Sequence, residues 1–207
     1  LCPKKFIIEF MTILIVLKTG LSGLSFSWYL KKHFGVKKFG VGFFGIFYAL
    51  SGYMAAYSWN IMWLDCIMLF PLILLGLEQL VKEKKGTLYC ITLGLSILSN
   101  YYISIMICIF MVIYVIAQMT LNPPKSFGEF MGTGLRFAFY SLLAGGLAAV
   151  VLLPEIYALQ VTASGDFDFP KTFSSYFSIF DMIARHIGNV GTEIGLDHWP
   201  NIYCGVA

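Results

Sequence analysis

The sequence predicts an all-α polytopic integral membrane protein with about six transmembrane or membrane-embedded helices and an outer, loop-rich tail. Only 12% of the 207 residues are charged and 58% are hydrophobic, whereas a soluble domain carries about 25% charged residues. The mean hydropathy is +0.79. Most of the lysines form short clusters between long apolar stretches. Because a soluble domain distributes charge over its whole surface, this pattern indicates a chain that crosses a bilayer repeatedly.

The individual helices are predicted from apolar length, since a span needs about 20 such residues. In chain order, residues 6–30, 40–57, 62–81 and 128–153 meet this requirement, the second only minimally. Residues 87–119 are too long for one span and contain the polar break Ser99-Asn100-Tyr101-Tyr102. We therefore expect two short helices there, 87–98 and 103–119, which either cross the membrane twice or form a re-entrant pair.

The lysine clusters also predict the orientation of the chain. Eight lysines fall in the joints at residues 31–38, 82–85 and 122–125, while the opposite side carries four basic residues. The positive-inside rule places the lysine-rich joints in the cytoplasm. Residues 1–153 are then predicted to form a transmembrane helical bundle, and residues 154–207 the start of an extracytoplasmic loop region.

Two patterns within the spans predict how the helices pack. Lys18, Ser22 and Ser25 follow one another at helical spacing in the first span, so this stripe is expected to face protein or water. Small residues four positions apart predict close approach of helix backbones. They are Gly45 and Ala49, Gly52 and Ala56, and Ser141, Gly145 and Ala149.

The joint at residues 57–65 is the first candidate site on the predicted outer side. Its tryptophans, including Trp63, fit an interfacial aromatic belt or a substrate-binding surface, and Asn60 is a candidate for substrate binding. Asp65 is a candidate catalytic residue. It either lies in the first turn of a helix, where the dipole favours a carboxylate, or lines an outward-facing polar cavity.

The break at residues 99–102 supplies further candidate substrate-binding residues on the same side. Asn100 can satisfy backbone groups freed by the break, and Tyr101 and Tyr102 can stack on a sugar or line a groove for a lipid chain. Arg185 is a candidate ligand for a phosphate.

The tail contains weaker signals for metal binding and acid–base chemistry. Asp166 and Asp168 form an Asp-x-Asp pair that suits a divalent metal ion, although a solvated loop has the same composition. His198 follows Asp197 and is a second catalytic candidate, against the alternative of a surface-loop histidine. No cofactor is certain from the sequence. The chain has no nucleotide-binding glycine motif, and nothing in its basic residues indicates a nucleic-acid partner.

Several of these motifs resemble the bacterial YfhO family of membrane proteins, over nearly the whole chain. The segments that carry the resemblance are Ala49-Leu50-Ser51-Gly52-Tyr53-Met54, Asn60-Ile61-Met62-Trp63-Leu64-Asp65, Pro71-Leu72, Leu75-Gly76-Leu77-Glu78, Ser99-Asn100-Tyr101-Tyr102, Leu153-Pro154-Glu155 and Asn201-Ile202-Tyr203-Cys204-Gly205.

The resemblance implies a GT-C type glycosyltransferase in the bacterial plasma membrane. Such an enzyme transfers a sugar from a polyprenyl-phosphate carrier to a cell-envelope polymer such as lipoteichoic acid, so its partners are membrane lipids, the lipid-linked donor and the polymer acceptor. The resemblance also places the main catalytic acid upstream of Leu1. We therefore expect the chain to be a fragment of a longer protein and to be inactive alone. A lipid-linked sugar flippase or transporter and a non-catalytic membrane scaffold are the alternatives.

Overall fold

The computed structural model describes residues 6–35, 39–124, 126–161 and 178–186, and within these ranges the regular structure is entirely helical. The helices of these ranges are α1 (Ile7–His33), α2 (Val41–Ala49), α3 (Gly52–Tyr57), α4 (Ile61–Glu83), α5 (Thr87–Ser99), α6 (Tyr101–Leu121), α7 (Phe127–Leu147), α8 (Ala149–Gln160) and α9 (Ile179–Ala184).

The lengths of these helices confirm a polytopic membrane protein. Among the described residues, α1, α4 and α6 are each long and apolar enough to cross a membrane. The α7–α8 pair also qualifies if its two bent parts form one span, while α5 and the α2–α3 region are shorter apolar elements. The break predicted at residues 99–102 is present but narrower than expected, because α5 ends at Ser99, α6 begins at Tyr101 and only Asn100 lies between them.

The span predicted at residues 40–57 is not one continuous helix. The region divides into α2 and α3 at Leu50 and Ser51, where Ser51 has extended backbone angles (φ −64°, ψ 158°). Serine is a favoured residue at the start of a helix, and glycine at position 52 weakens helix continuation. An apolarity count does not register this break because the residues around it remain apolar.

The prediction of one helix at residues 128–153 is also wrong. The chain bends by 78° at Ala148, between α7 and α8. The paired glycines Gly145 and Gly146 precede the bend, and glycine pairs are a common cause of such kinks. α8 then continues through Pro154 to Gln160, so helical structure extends past the expected helix end at residue 153. The division into a bundle and an outer tail stays a prediction.

α4 is the central helix, packed against α1, α5, α6 and α7. Pro71 lies in its interior and has no N–H to donate to the carbonyl oxygen of Ile67, one turn earlier. The hydroxyl of Tyr48 in α2 donates a hydrogen bond to that same oxygen at 2.8 Å. A side chain from a neighbouring helix therefore satisfies the backbone group that the proline leaves unpaired.

Small residues set the closest helix contacts, although at different positions in α7 from those expected. A Cβ on Gly23 of α1 would lie 2.8 Å from the carbonyl oxygen of Gly45, so the Gly45 pattern does mark a tight interface. In α7, however, a Cβ on Gly145 would meet nothing within 4 Å. Ala144 is fully buried instead, and its backbone faces Gly94 of α5.

The polar stripe of α1 faces the bundle, as predicted. Ser22 is completely buried and Ser25 is 7% exposed. Both hydroxyls donate to carbonyl oxygens of their own helix, from Ser22 to Lys18 and from Ser25 to Ser22. Lys18 continues the stripe towards the start of α4, and this contact forms the candidate site.

Candidate functional site

Asp65 and Lys18 form an ion pair where α4 begins. The Lys18 Nζ atom lies 2.8 Å from each Asp65 carboxylate oxygen and donates to the carbonyl oxygen of Ile61 at 3.1 Å. The Lys18 side chain is 15% exposed and the Asp65 side chain is 28% exposed. Asp65 therefore presents a fixed and partly accessible carboxylate, with its charge balanced from a neighbouring helix.

The expectation that Asp65 lies in the first helical turn is wrong. α4 begins at Ile61 and its first turn contains no acidic residue. Asp65 follows one turn later, where the partial charge of the helix terminus is already shared among hydrogen-bonded groups. Its compensating charge comes from Lys18, which the sequence places 47 residues earlier.

Asn60 and Trp63 lie at the start of α4, and their side chains have different surroundings. Asn60 precedes α4, its side chain makes no capping bond, and its carbonyl oxygen accepts from the N–H of Trp63 at 3.0 Å. The indole of Trp63 is partly buried against the core, with its ring 5.7 Å from that of Tyr57. By contrast, Trp59 is 58% exposed and suits the aromatic belt.

The junction between α5 and α6 lies beside the same turn of α4. Cys66, the neighbour of Asp65, donates its thiol towards the carbonyl oxygens of Ser96 and Asn100 at 3.5 and 3.7 Å. The Asn100 side-chain oxygen accepts from the N–H of Ile103 at 2.9 Å and so caps α6. The expected backbone-satisfying role of Asn100 is present, and Asn100 and Asp65 occupy one end of the bundle. We call this end, defined by Asp65 and Asn100, the Asp65 end.

The two tyrosines of the junction have different surroundings. Tyr102 is 52% exposed. Tyr101 lies close to the Glu155 carboxylate of α8. The bend at Ala148 directs α8 towards α5, which it contacts. Glu155 is a carboxylate that sequence reasoning did not select for the site, because the bend is invisible in an apolar stretch.

Of the remaining candidates, only Arg185 lies within the described residues. Arg185 is 5% exposed and follows the short helix α9. Ser178 and Asp181 form a capping box there, and the hydrogen bonds from the Ser178 backbone N–H and hydroxyl hold the pKa of the Asp181 carboxyl below its usual range. Asp166, Asp168 and His198 lie outside the described residues. Within the described ranges, no group of three or more His, Cys, Asp or Glu side chains suits a metal ion.

Comparison with known proteins identifies the family. The sequence profile described as "Bacterial membrane protein YfhO" matches residues 1–207. The chain belongs to the YfhO family. No curated protein and no solved structure matches it. The family match confirms the suspected resemblance, while the GT-C-like arrangement of its helices stays a prediction.

A second polar cluster of this YfhO chain lies at the opposite end of α1 and α4, and sequence reasoning missed it. The Glu78 carboxylate, only 5% exposed, accepts from the hydroxyls of Tyr29 at 3.1 Å and Tyr114 at 2.6 Å. The Nδ1 atom of His33 lies 2.6 Å from the same oxygen, and Lys82 contacts the other at 3.3 Å. These contacts join α1, α4 and α6. We call them the Glu78 cluster.

No single segment of the sequence gives a signal for the Glu78 cluster. Its members come from three helices, and each is unremarkable alone at the end of a span, where tyrosine, lysine and histidine are common. Only the packing of α1 and α6 against α4 brings them together. Every described contact of Glu78 is with a protein donor, which makes the cluster a connection between helices.

Proposed function

We propose that this YfhO protein is the core of a membrane glycosyltransferase acting on the extracytoplasmic face. The donor is a sugar on a polyprenyl-phosphate carrier, and the acceptor is a cell-envelope polymer such as lipoteichoic acid. The observation that supports this proposal most directly is the Asp65 carboxylate, held in place at the Asp65 end and still 28% exposed.

The depth of Asp65 suits a lipid-linked substrate. It lies four residues after the start of α4, which corresponds to about 6 Å along the helix axis. A carboxylate just below the membrane boundary meets the sugar where the carrier phosphate leaves the hydrocarbon layer. Ionisable groups at such positions are costly to maintain and usually mark functional sites.

In the proposed reaction, Asp65, rather than the upstream acid that the resemblance implies, accepts the proton of an acceptor hydroxyl while that oxygen bonds to the anomeric carbon. The bond between the anomeric carbon and the phosphate oxygen breaks, and the carrier phosphate departs with the electron pair. A cation beside the phosphate would stabilise the developing charge. Arg185, His198 and a divalent metal ion at Asp166 and Asp168 remain sequence-based candidates for supporting roles.

Sugar transfer by the complete protein in liposomes tests this proposal. Polyprenyl-phosphate sugar with a radiolabel is the donor, and envelope polymer is the acceptor. We expect label on the polymer, and we expect Asp65→Asn to lower kcat about 10²–10⁴-fold, the range for loss of a general base.

Glu83→Gln is the matched control, because Glu83 is an exposed acid at the other end of α4 and pairs with Lys85. It should leave transfer unchanged. Donor that reaches the opposite leaflet without labelling the polymer would indicate a flippase and would contradict the proposal. If the wild-type protein shows no transfer and no translocation, the protein is a scaffold, which would also contradict the proposal.

A further inference from the structure

We infer that Lys18 is a positioning residue for the proposed reaction, because it fixes the Asp65 carboxylate in the orientation needed to accept a proton. The inference rests on the proposed function, in which Asp65 touches the acceptor. Lys18 itself is not a catalytic residue in this scheme: it acts through Asp65.

The surroundings of the Lys18 ammonium group support this role. A lysine ammonium has three N–H donors and no acceptor. Here the ammonium donates to one Asp65 carboxylate oxygen at 2.8 Å and to the Ile61 carbonyl oxygen at 3.1 Å, and the second Asp65 oxygen lies at 2.8 Å as well. The bond to Ile61 ties the ammonium to the α4 backbone, so the carboxylate is held relative to its own helix.

The stem of Lys18 is fixed as well. The next turn of α1 carries the buried Ser22, which donates to the Lys18 carbonyl oxygen at 2.8 Å. Gly23 then packs tightly against α2. Further along, Tyr29 and the Glu78 cluster join α1 to α4 again. A long and flexible side chain thus starts from a backbone position that has little freedom to move.

The same contacts argue against Lys18 as a ligand for the carrier phosphate. Its hydrogen bonds already go to Asp65 and Ile61, and the side chain is only 15% exposed. Binding a phosphate would require Lys18 to release Asp65, the group whose orientation the reaction needs. The geometry therefore favours positioning, and the two roles predict different kinetic effects.

The test measures kcat and KM for the polyprenyl-phosphate sugar with the complete protein in liposomes. Lys18→Met should lower kcat about 10²-fold, as expected for a misplaced catalytic group, with KM within about twofold of the wild-type value. Lys18→Arg should retain transfer to within about tenfold of wild type, since arginine keeps the positive charge and the N–H donors. A rise in KM with unchanged kcat in Lys18→Met would overturn the inference in favour of phosphate binding.

A charge swap separates positioning from mere structural pairing. The double variant Lys18→Asp, Asp65→Lys retains an ion pair between α1 and α4 but moves the carboxylate to the other helix. Its thermal stability should be closer to wild type than that of Lys18→Met, while transfer stays lost. Recovery of transfer by the swap would contradict the inference.

Two further comparisons complete the design. Lys85→Met is the control: it removes a lysine from an exposed ion pair, the one with Glu83, and should leave kcat and KM unchanged. If Asp65→Asn loses transfer but Lys18→Met does not, the inference fails and the proposed function stands. If Asp65→Asn retains transfer, Asp65 is removed from the site and the inference fails with it.

Discussion

At the scale of single residues, pairings between distant helices govern this protein. The sequence indicates that the Lys18 stripe faces protein or water, because a helical period is enough to predict a face. It could not indicate that Lys18 meets Asp65, since that contact depends on how α1 and α4 are placed relative to each other. The hydrogen bond from Tyr48 to Ile67 is a similar case. In the sequence, Pro71 shows that the Ile67 carbonyl oxygen lacks its helical donor, but not which side chain replaces it.

The Tyr48 hydroxyl is expected to stabilise the fold by satisfying the Ile67 carbonyl. Tyr48→Phe should lower the free energy of unfolding by about 1 kcal/mol, within the range for hydrogen bonds between membrane helices. Reversible unfolding in mixed detergent micelles measures this change. Tyr157→Phe, at a tyrosine that is 70% exposed, is the control and should have no effect.

A double-mutant cycle tests whether the Tyr48 hydroxyl stabilises the fold through the Ile67 carbonyl oxygen. Pro71→Ala restores an N–H that can reach the Ile67 oxygen within the helix. Tyr48→Phe should therefore cost less in the Pro71→Ala background than in wild type. Equal costs in both backgrounds would show that the hydroxyl acts elsewhere.

At the scale of helices, the sequence predicted those breaks that interrupt the apolar pattern. Residues 99–102 are polar, so the junction between α5 and α6 was predictable. The breaks at Ser51 and Ala148 occur within apolar sequence, where helix propensity and tertiary packing decide. The proximity of Tyr101 to Glu155 depends on the second of these bends, and so this part of the candidate site could not be predicted.

The contact between α4 and α5 should be sensitive to one added methyl group. A Cβ on Gly76 would collide with the backbone N and Cα atoms of Tyr89, which cannot move without displacing α5. Gly76→Ala should therefore destabilise the protein by about 1–3 kcal/mol despite the higher helix propensity of alanine.

Gly134→Ala is the matched substitution in α7, because a Cβ there would meet nothing within 4 Å. It should be neutral or stabilising by up to about 1 kcal/mol. Unfolding in mixed micelles compares the two variants. Similar effects at both positions would argue that the α4–α5 contact is looser than the structure indicates.

At the scale of the whole molecule, the asymmetry of lysines predicts which end of the bundle faces the cytoplasm. Trp59 precedes α4 and Lys84 follows it. α4 is long and apolar enough to cross the membrane. These two positions should therefore lie on opposite sides.

Cysteine labelling measures this orientation. In a background without the natural cysteines, Trp59→Cys should react with a membrane-impermeant maleimide in intact cells. Lys84→Cys should react only after the membrane is permeabilised. The reverse pattern would place the Asp65 end in the cytoplasm and exclude an extracytoplasmic site there.

During synthesis, Lys18 enters the membrane before its partner exists, because Asp65 follows 47 residues later. A lysine within a span opposes insertion, by up to about 3 kcal/mol at the helix centre. Glu78 meets the reverse situation, since Tyr29 and His33 are already in place when it arrives. α1 is therefore fully accommodated in the bilayer only once α4 is made, and the order of translation becomes part of how this bundle assembles.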